Sequence, residues 1–150
     1  MQRDYVLRMI EQAAAVLRAV IARMRAGSVD LPATRRELRR ALQLGGLDLD
    51  LLRVADGSTV LQLVMPGADT EPARVWLAAE VLFLEGLAAA AVGDADGAVT
   101  SLAKAQLLFR LVEPTAVLPT GFTEAKDRLA EIAQQLNILA DMPEVDDEPA

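Results

Sequence analysis

The chain contains neither cysteine nor histidine. Without cysteine, no disulfide framework or thiolate zinc site can form within its 150 residues, and a reducing compartment is compatible. Without histidine, the commonest general base and the commonest metal ligand are lost together, so a metal would need an all-oxygen carboxylate site. Lysine is nearly absent too, present only as Lys104 and Lys126, both on helices with surface-like neighbours. Ser28, Ser58 and Ser101 have no imidazole to activate them. No catalytic residue, cofactor or metal is expected, and the chain reads as noncatalytic.

Two short motifs fit this reading. Asp48 and Asp50 form a DxD pair, but no glycine-rich phosphate loop accompanies them, and helix capping explains both. The stretch 93–97, Gly-Asp-Ala-Asp-Gly, fails as a calcium loop because Val92 and Ala103 occupy its terminal ligand positions. It reads instead as a turn with an N-cap.

Aromatic residues are only 3 % of the chain, whereas apolar residues are 53 %, mostly alanine and leucine. That balance points to closely packed helices. Residues 1–53 carry 10 basic and 6 acidic groups, net +4, and residues 54–150 carry 5 and 16, net −11. An acidic total of −7 argues against a nucleic-acid partner. The most membrane-like run, 75–92, contains Glu80 and Glu85, each costly at bilayer depth, so it is expected to be a buried helix with no membrane partner. Arg3, Asp4, Arg8 and Glu11 interrupt the first turns, which argues against a signal peptide. A cytoplasmic protein is expected.

Hydrophobic periodicity organises the chain as one all-α domain over 1–140, a helical bundle of about five main helices plus short helical turns. Val6, Ile10, Ala13, Leu17, Val20 and Met24 form a regular stripe on a first helix, 3–26. A second helix over 31–44 has Asp30 as N-cap and the glycine pair 45–46 as its stop. Arg35, Arg36, Arg39 and Arg40 project together from it, as a solvated basic face or a docking patch for an acidic partner. Residues 47–64 read as a linker with two short turns, capped by Asp48 or Asp50 and by Asp56 or Ser58. Asp69 or Thr70 caps the next helix. That spine, 73–92, is apolar nearly all round, as expected of a helix enclosed by others. Helices over 95–112 and 123–140 follow, and 141–150 is expected to be a flexible acidic tail.

Glu80 and Glu85 interrupt the spine. Five residues apart, they fall on different faces and cannot act as a paired acid and base. A buried carboxylate needs a partner, and the arginines of the second helix or Arg110 are the expected ones. An apolar pocket near Trp76, Phe83 and Glu80, holding a small molecule or a reaction, is the third option after a peptide-binding surface and self-assembly.

The hairpin at 79–110 resembles a tetratricopeptide repeat. Leu82 and Gly86 fall at hydrophobic and small positions of its first helix, and Ala98, Leu102 and Ala105 at small, large and small positions of its second. Gly93-Asp94 falls where that motif turns. Glu85, Ala89 and Arg110 depart from it, standing where an apolar residue, a larger residue and proline are usual. Residues 4–12, DYVLRMIEQ, and 44–52, LGGLDLDLL, are similar to an uncharacterised bacterial domain-of-unknown-function family with a tetratricopeptide-like C-terminal part. The resemblance implies an N-terminal amphipathic helix joined to a tetratricopeptide-like part at 73–140, and an adaptor or scaffold that presents a helical groove to a protein or peptide. A helical homo-oligomer, assembled through spare apolar surface on the first helix, is the principal alternative. Arg35, Arg36, Arg39, Arg40, Trp76, Glu80 and Glu85 are the candidate interaction or anchor residues.

Overall fold

A computed structural model describes residues 2–27, 29–114, 116 and 118–142. The acidic segment 143–150, expected above as a tail, and Ser28 lie outside the described residues. The described part is all-helical: α1 (Gln2–Arg25), α2 (Leu31–Leu44), α3 (Leu49–Val54), α4 (Gly57–Val64), α5 (Pro72–Ala91), α6 (Ala95–Phe109) and α7 (Ala125–Asp141). The two turns expected between 47 and 64 are true short helices, which brings the number to seven. α6 stops three residues before the expected end, at Phe109, and Leu111 and Val112 close it with tighter turns.

Local chemistry explains the boundaries. The carboxylates of Asp30, Asp48, Asp56 and Asp94 each accept from a backbone N–H in the first turn of α2, α3, α4 and α6. α5 differs from the expectation: Glu71, and not Asp69 or Thr70, takes the N-cap position and makes no side-chain cap bond, while Pro72 needs no N–H there. Gly27, Gly46 and Gly93 follow helix ends with positive φ, which a residue with a Cβ adopts only under strain.

α5 is the centre. Fifteen of its 20 residues are buried, from Ala73 to Ala89. Fully enclosed side chains such as Trp76, Leu77 and Leu82 each stabilise the fold by about 1.5–3 kcal/mol. α6 packs along α5 most extensively, and α2 and α1 cover much of the rest. Gly86 permits the α5–α6 approach, since a Cβ there would stand 2.7 Å from Leu102 Cγ.

Neighbouring side chains fix the helix directions. Arg35 and Gly45 of α2 meet Glu85 and Leu77 of α5, so these two helices run antiparallel. α6 also opposes α5, with Phe83 near Phe109 and Gly86 against Leu102. α1 runs with α5: Leu7 and Ile10 share a cleft with Pro72 and Ala73, and Ile21 and Met24 share one with Phe83 and Leu87. α7 also runs with α5, Trp76 meeting Phe122 just before α7 and Glu80 meeting Arg128 within it. Three helices of one direction, α1, α5 and α7, therefore alternate with two of the other, α2 and α6.

Candidate functional site

The two glutamates of the spine are both fully buried, and each is held by a different neighbouring helix. Glu85 accepts from Arg35 Nε and Nη2 at 3.0 and 2.8 Å, from the hydroxyl of Ser101, and lies 3.5 Å from Arg53 Nε. The expected link to the second helix is present. Glu80 pairs with an arginine that periodicity did not single out. Arg128 Nη2 and Nε reach its two oxygens at 2.7 and 3.2 Å. Arg128 also lies 4.5 Å above the centroid of the Phe83 ring and donates to Glu131. Burial raises the Glu80 carboxyl above its usual range, and the Arg128 charge offsets only part of that shift. Arg110 is exposed and takes no part in either pair.

The four arginines of α2 do not act as one face. Arg35 turns to Glu85, and Arg39 makes a two-point contact with Asp50 at 2.9 and 3.1 Å. Arg36 and Arg40 are exposed. The Arg39 guanidinium holds Asp50 below the ordinary carboxylate range. Asp48, and not Asp50, caps α3.

Lys104 departs from its expected surface setting. It is buried and donates to the carbonyls of Leu52 and Arg53 at 3.0 and 2.6 Å, closing the C-terminal end of α3. Burial lowers its pKa, and the charge of Arg53 adds to the effect. A positive group at a helix C-terminus complements the carbonyl dipoles there.

Trp76 is fully buried against Phe122, ring centroids 4.9 Å apart and edge to face, with no acceptor for its indole N–H among the described residues. Above it the chain crosses from α6 to α7. Arg18 of α1 grips this crossing, donating from Nε and Nη2 to the Thr120 carbonyl at 3.1 and 2.8 Å while lying 5.3 Å over Phe122. The gap between α1 and α7 is thus bridged at one end.

At its other end the gap stays open. A groove of about 300 Å³ lies there, with Phe83, Leu84 and Leu87 of α5 as its floor. Ile21, Met24 and Arg25 form the α1 wall, and Arg128 and Glu131 the α7 wall. Neither Trp76 nor Glu80 lines this groove; Phe83 does. Arg25 is exposed, whereas Arg128 is committed to Glu80 and Glu131. The groove is therefore apolar at its base, with an exposed cation on the α1 wall and an Arg128–Glu131 ion pair on the α7 wall.

A signal for Arg128 was present in the sequence, although the stripe of α7 runs through Leu129. Arg128 stands three residues after Ala125 and four before Ile132, within the apolar stripe of α7, and a charge in a core stripe signals a buried partner. The groove was not legible, because it arises where α1 and α7 fail to meet. Among the described residues no cluster of acidic side chains could hold a metal, and no described helix is long and apolar enough to cross a membrane. Comparison with protein-family models, curated proteins and solved structures returns no match.

Proposed function

We propose that the chain is a noncatalytic, cytoplasmic, tetratricopeptide-like adaptor whose groove between α1 and α7 takes an amphipathic helical segment of a protein partner. The alternating directions of α1, α2, α5, α6 and α7 support a stacked-hairpin reading: α1 with α2 and α5 with α6 as two hairpins, and α7 as a closing helix. The observation that carries the function is the groove itself, in which half-buried Ile21, Met24 and Leu87 lie over the buried Phe83 and Leu84, between the exposed Arg25 on α1 and the Arg128–Glu131 pair on α7. Its volume suits two or three apolar side chains on one helix face, with acidic residues flanking them towards Arg25 and basic residues towards Glu131.

A helical peptide library selected against the full chain tests this. Enriched sequences should repeat apolar residues at i and i+3 or i+4, with acid on one flank, and should lose affinity for Met24→Lys. Arg25→Glu should turn the preference of that flank from acidic to basic. Peptides that bind Met24→Lys and the parent chain equally would remove the groove from the function.

Self-assembly has a specific observation in its favour. Ile138 on α7 and Met142 just after it are 49 % and 51 % exposed, an apolar edge at the end of the stack. Terminal helices of such stacks normally carry a polar outer face. Light scattering over a concentration series, with Ile138→Glu as control, separates this reading from the adaptor.

A further inference from the structure

Arg74 is unlike the other arginines. Among the described residues, Arg18, Arg23, Arg35, Arg39, Arg53 and Arg128 each contact a carboxylate or a carbonyl. Arg8, Arg25, Arg36, Arg40 and Arg110 are exposed, so water satisfies them. Arg74 alone is half-buried without an acceptor: its Nε is enclosed and makes no hydrogen bond. A guanidinium stays charged at any physiological pH, and a buried donor left unpaired is destabilising.

Its surroundings make a site. A cleft of about 340 Å³ opens between the start of α1, the end of α2 and the first turn of α5. Val6, Met9 and Leu44 supply half-buried apolar wall, and Tyr5 and Gln43 bring a hydroxyl and an amide to the rim. Among the described residues no carboxylate lines it. The glycine pair 45–46 forms its remaining edge, and even a methyl group on Gly46 would stand 3.7 Å from Arg74 Nη2. The bare backbone leaves room beside the guanidinium. The C-terminal end of α2 favours a cation at this point without bonding to it.

We propose that this cleft binds a small apolar monocarboxylic acid, its carboxylate on the terminal nitrogens of Arg74 beside Gly46 and its hydrocarbon part against Val6, Met9 and Leu44. A planar guanidinium matches a carboxylate at two points. The volume is at the small end of ligand sites, about 300–1,000 Å³, which suits a free organic acid. This cleft is separate from the α1–α7 groove, and its occupancy does not depend on the adaptor reading.

Titration of the isotopically labelled full chain with hexanoate, followed by proton–nitrogen correlation spectra, tests the assignment. The expected result is saturable movement of the Arg74 Nε–H signal and of the Gly45 and Gly46 amides. Hexanamide, which lacks the charge, should leave them in place. Arg74→Gln should weaken hexanoate binding about tenfold or more, the loss of a charge-assisted contact. The wild-type titration needs no variant, so a misfolded Arg74→Gln protein would not decide the matter. Absence of saturable movement with millimolar hexanoate, or equal movement with hexanamide, would overturn the proposal. So would tighter binding of N-acetyl-leucine than of hexanoate, which would assign the cleft to a peptide end.

Discussion

Arg128 of α7 forms a two-point ion pair with the fully buried Glu80 of α5, although the backbones of their helices stand apart. Arg128 lines the α7 wall of the groove, while Glu80 lies outside it on α5. The pair lets α7 be held at a distance, by long side chains, where direct packing would have closed the groove.

Removing one member of this pair should cost far more than removing both. Glu80→Leu leaves a buried guanidinium facing Glu131 alone, and its expected cost at neutral pH is about 3–5 kcal/mol. The double change Glu80→Leu with Arg128→Met replaces the pair by apolar volume and should recover more than half of that loss. Urea unfolding of the three proteins measures both terms, and additive losses would contradict a coupled pair.

The pH dependence of stability should carry the mark of Glu80. Because its folded-state pKa is raised, the folded chain holds this proton more tightly than the unfolded chain. That contribution is fully present below the unfolded carboxylate value and is lost as pH climbs through the raised folded value. The stability of wild type relative to Glu80→Gln should therefore fall as pH rises across this window. Asp50, lowered by Arg39, has the opposite sign: its contribution is present above the unfolded value and is lost as pH drops through the folded one. A wild-type minus Glu80→Gln difference that is flat with pH would contradict the raised value.

Gly86 should resist even alanine. The added Cβ would meet Leu102 at 2.7 and 2.9 Å and the Ala98 carbonyl at 3.3 Å. Overpacking of this kind costs about 1–3 kcal/mol, against a helix-propensity gain of about 1 kcal/mol. Gly86→Ala should thus destabilise the parent chain and be neutral or stabilising in a Leu102→Ala background. Thermal or urea unfolding of the four proteins in this cycle reads the change of sign.

Lys104→Met should loosen α3 more than the rest of the molecule. The carbonyls of Leu52 and Arg53 lose their donor, while the methionine still fills the apolar part of the space. Native-state hydrogen exchange should show faster exchange within Leu49–Val54 and its flanks, with α5 amides little changed. Uniform acceleration across the chain would indicate a global effect.

The main helices were readable because their stripes are long and their caps ordinary. Aspartates 30, 48, 56 and 94 mark helix starts in the sequence and cap helices in the structure. The enclosure of 72–91 follows from apolar residues on every face of that helix. The resemblance to a tetratricopeptide hairpin remains a proposal resting on helix directions. Side-chain partners were less legible. Arg35 and Arg128 are equally plausible partners for a buried glutamate, and only the three-dimensional path decides that Glu85 takes the first and Glu80 the second. Lys104 looked like a surface residue because its partners, two carbonyls of α3, have no side-chain signature. Arg74 offered no signal, since an arginine's lack of a partner is a property of its surroundings.

The grip of Arg18 on the Thr120 carbonyl joins residues 102 positions apart. A growing chain can build the α1–α2 hairpin and pack it on α5 long before residue 120 is made. The crossing over Trp76 comes only once residue 120 is made, and loop closure over such a separation is slow compared with local pairing. Until then Trp76 lacks the Phe122 ring that meets it in the complete fold. The segment 118–142 thus acts on the helices made before it as an intramolecular chaperone would, covering the Trp76 face that they leave to it.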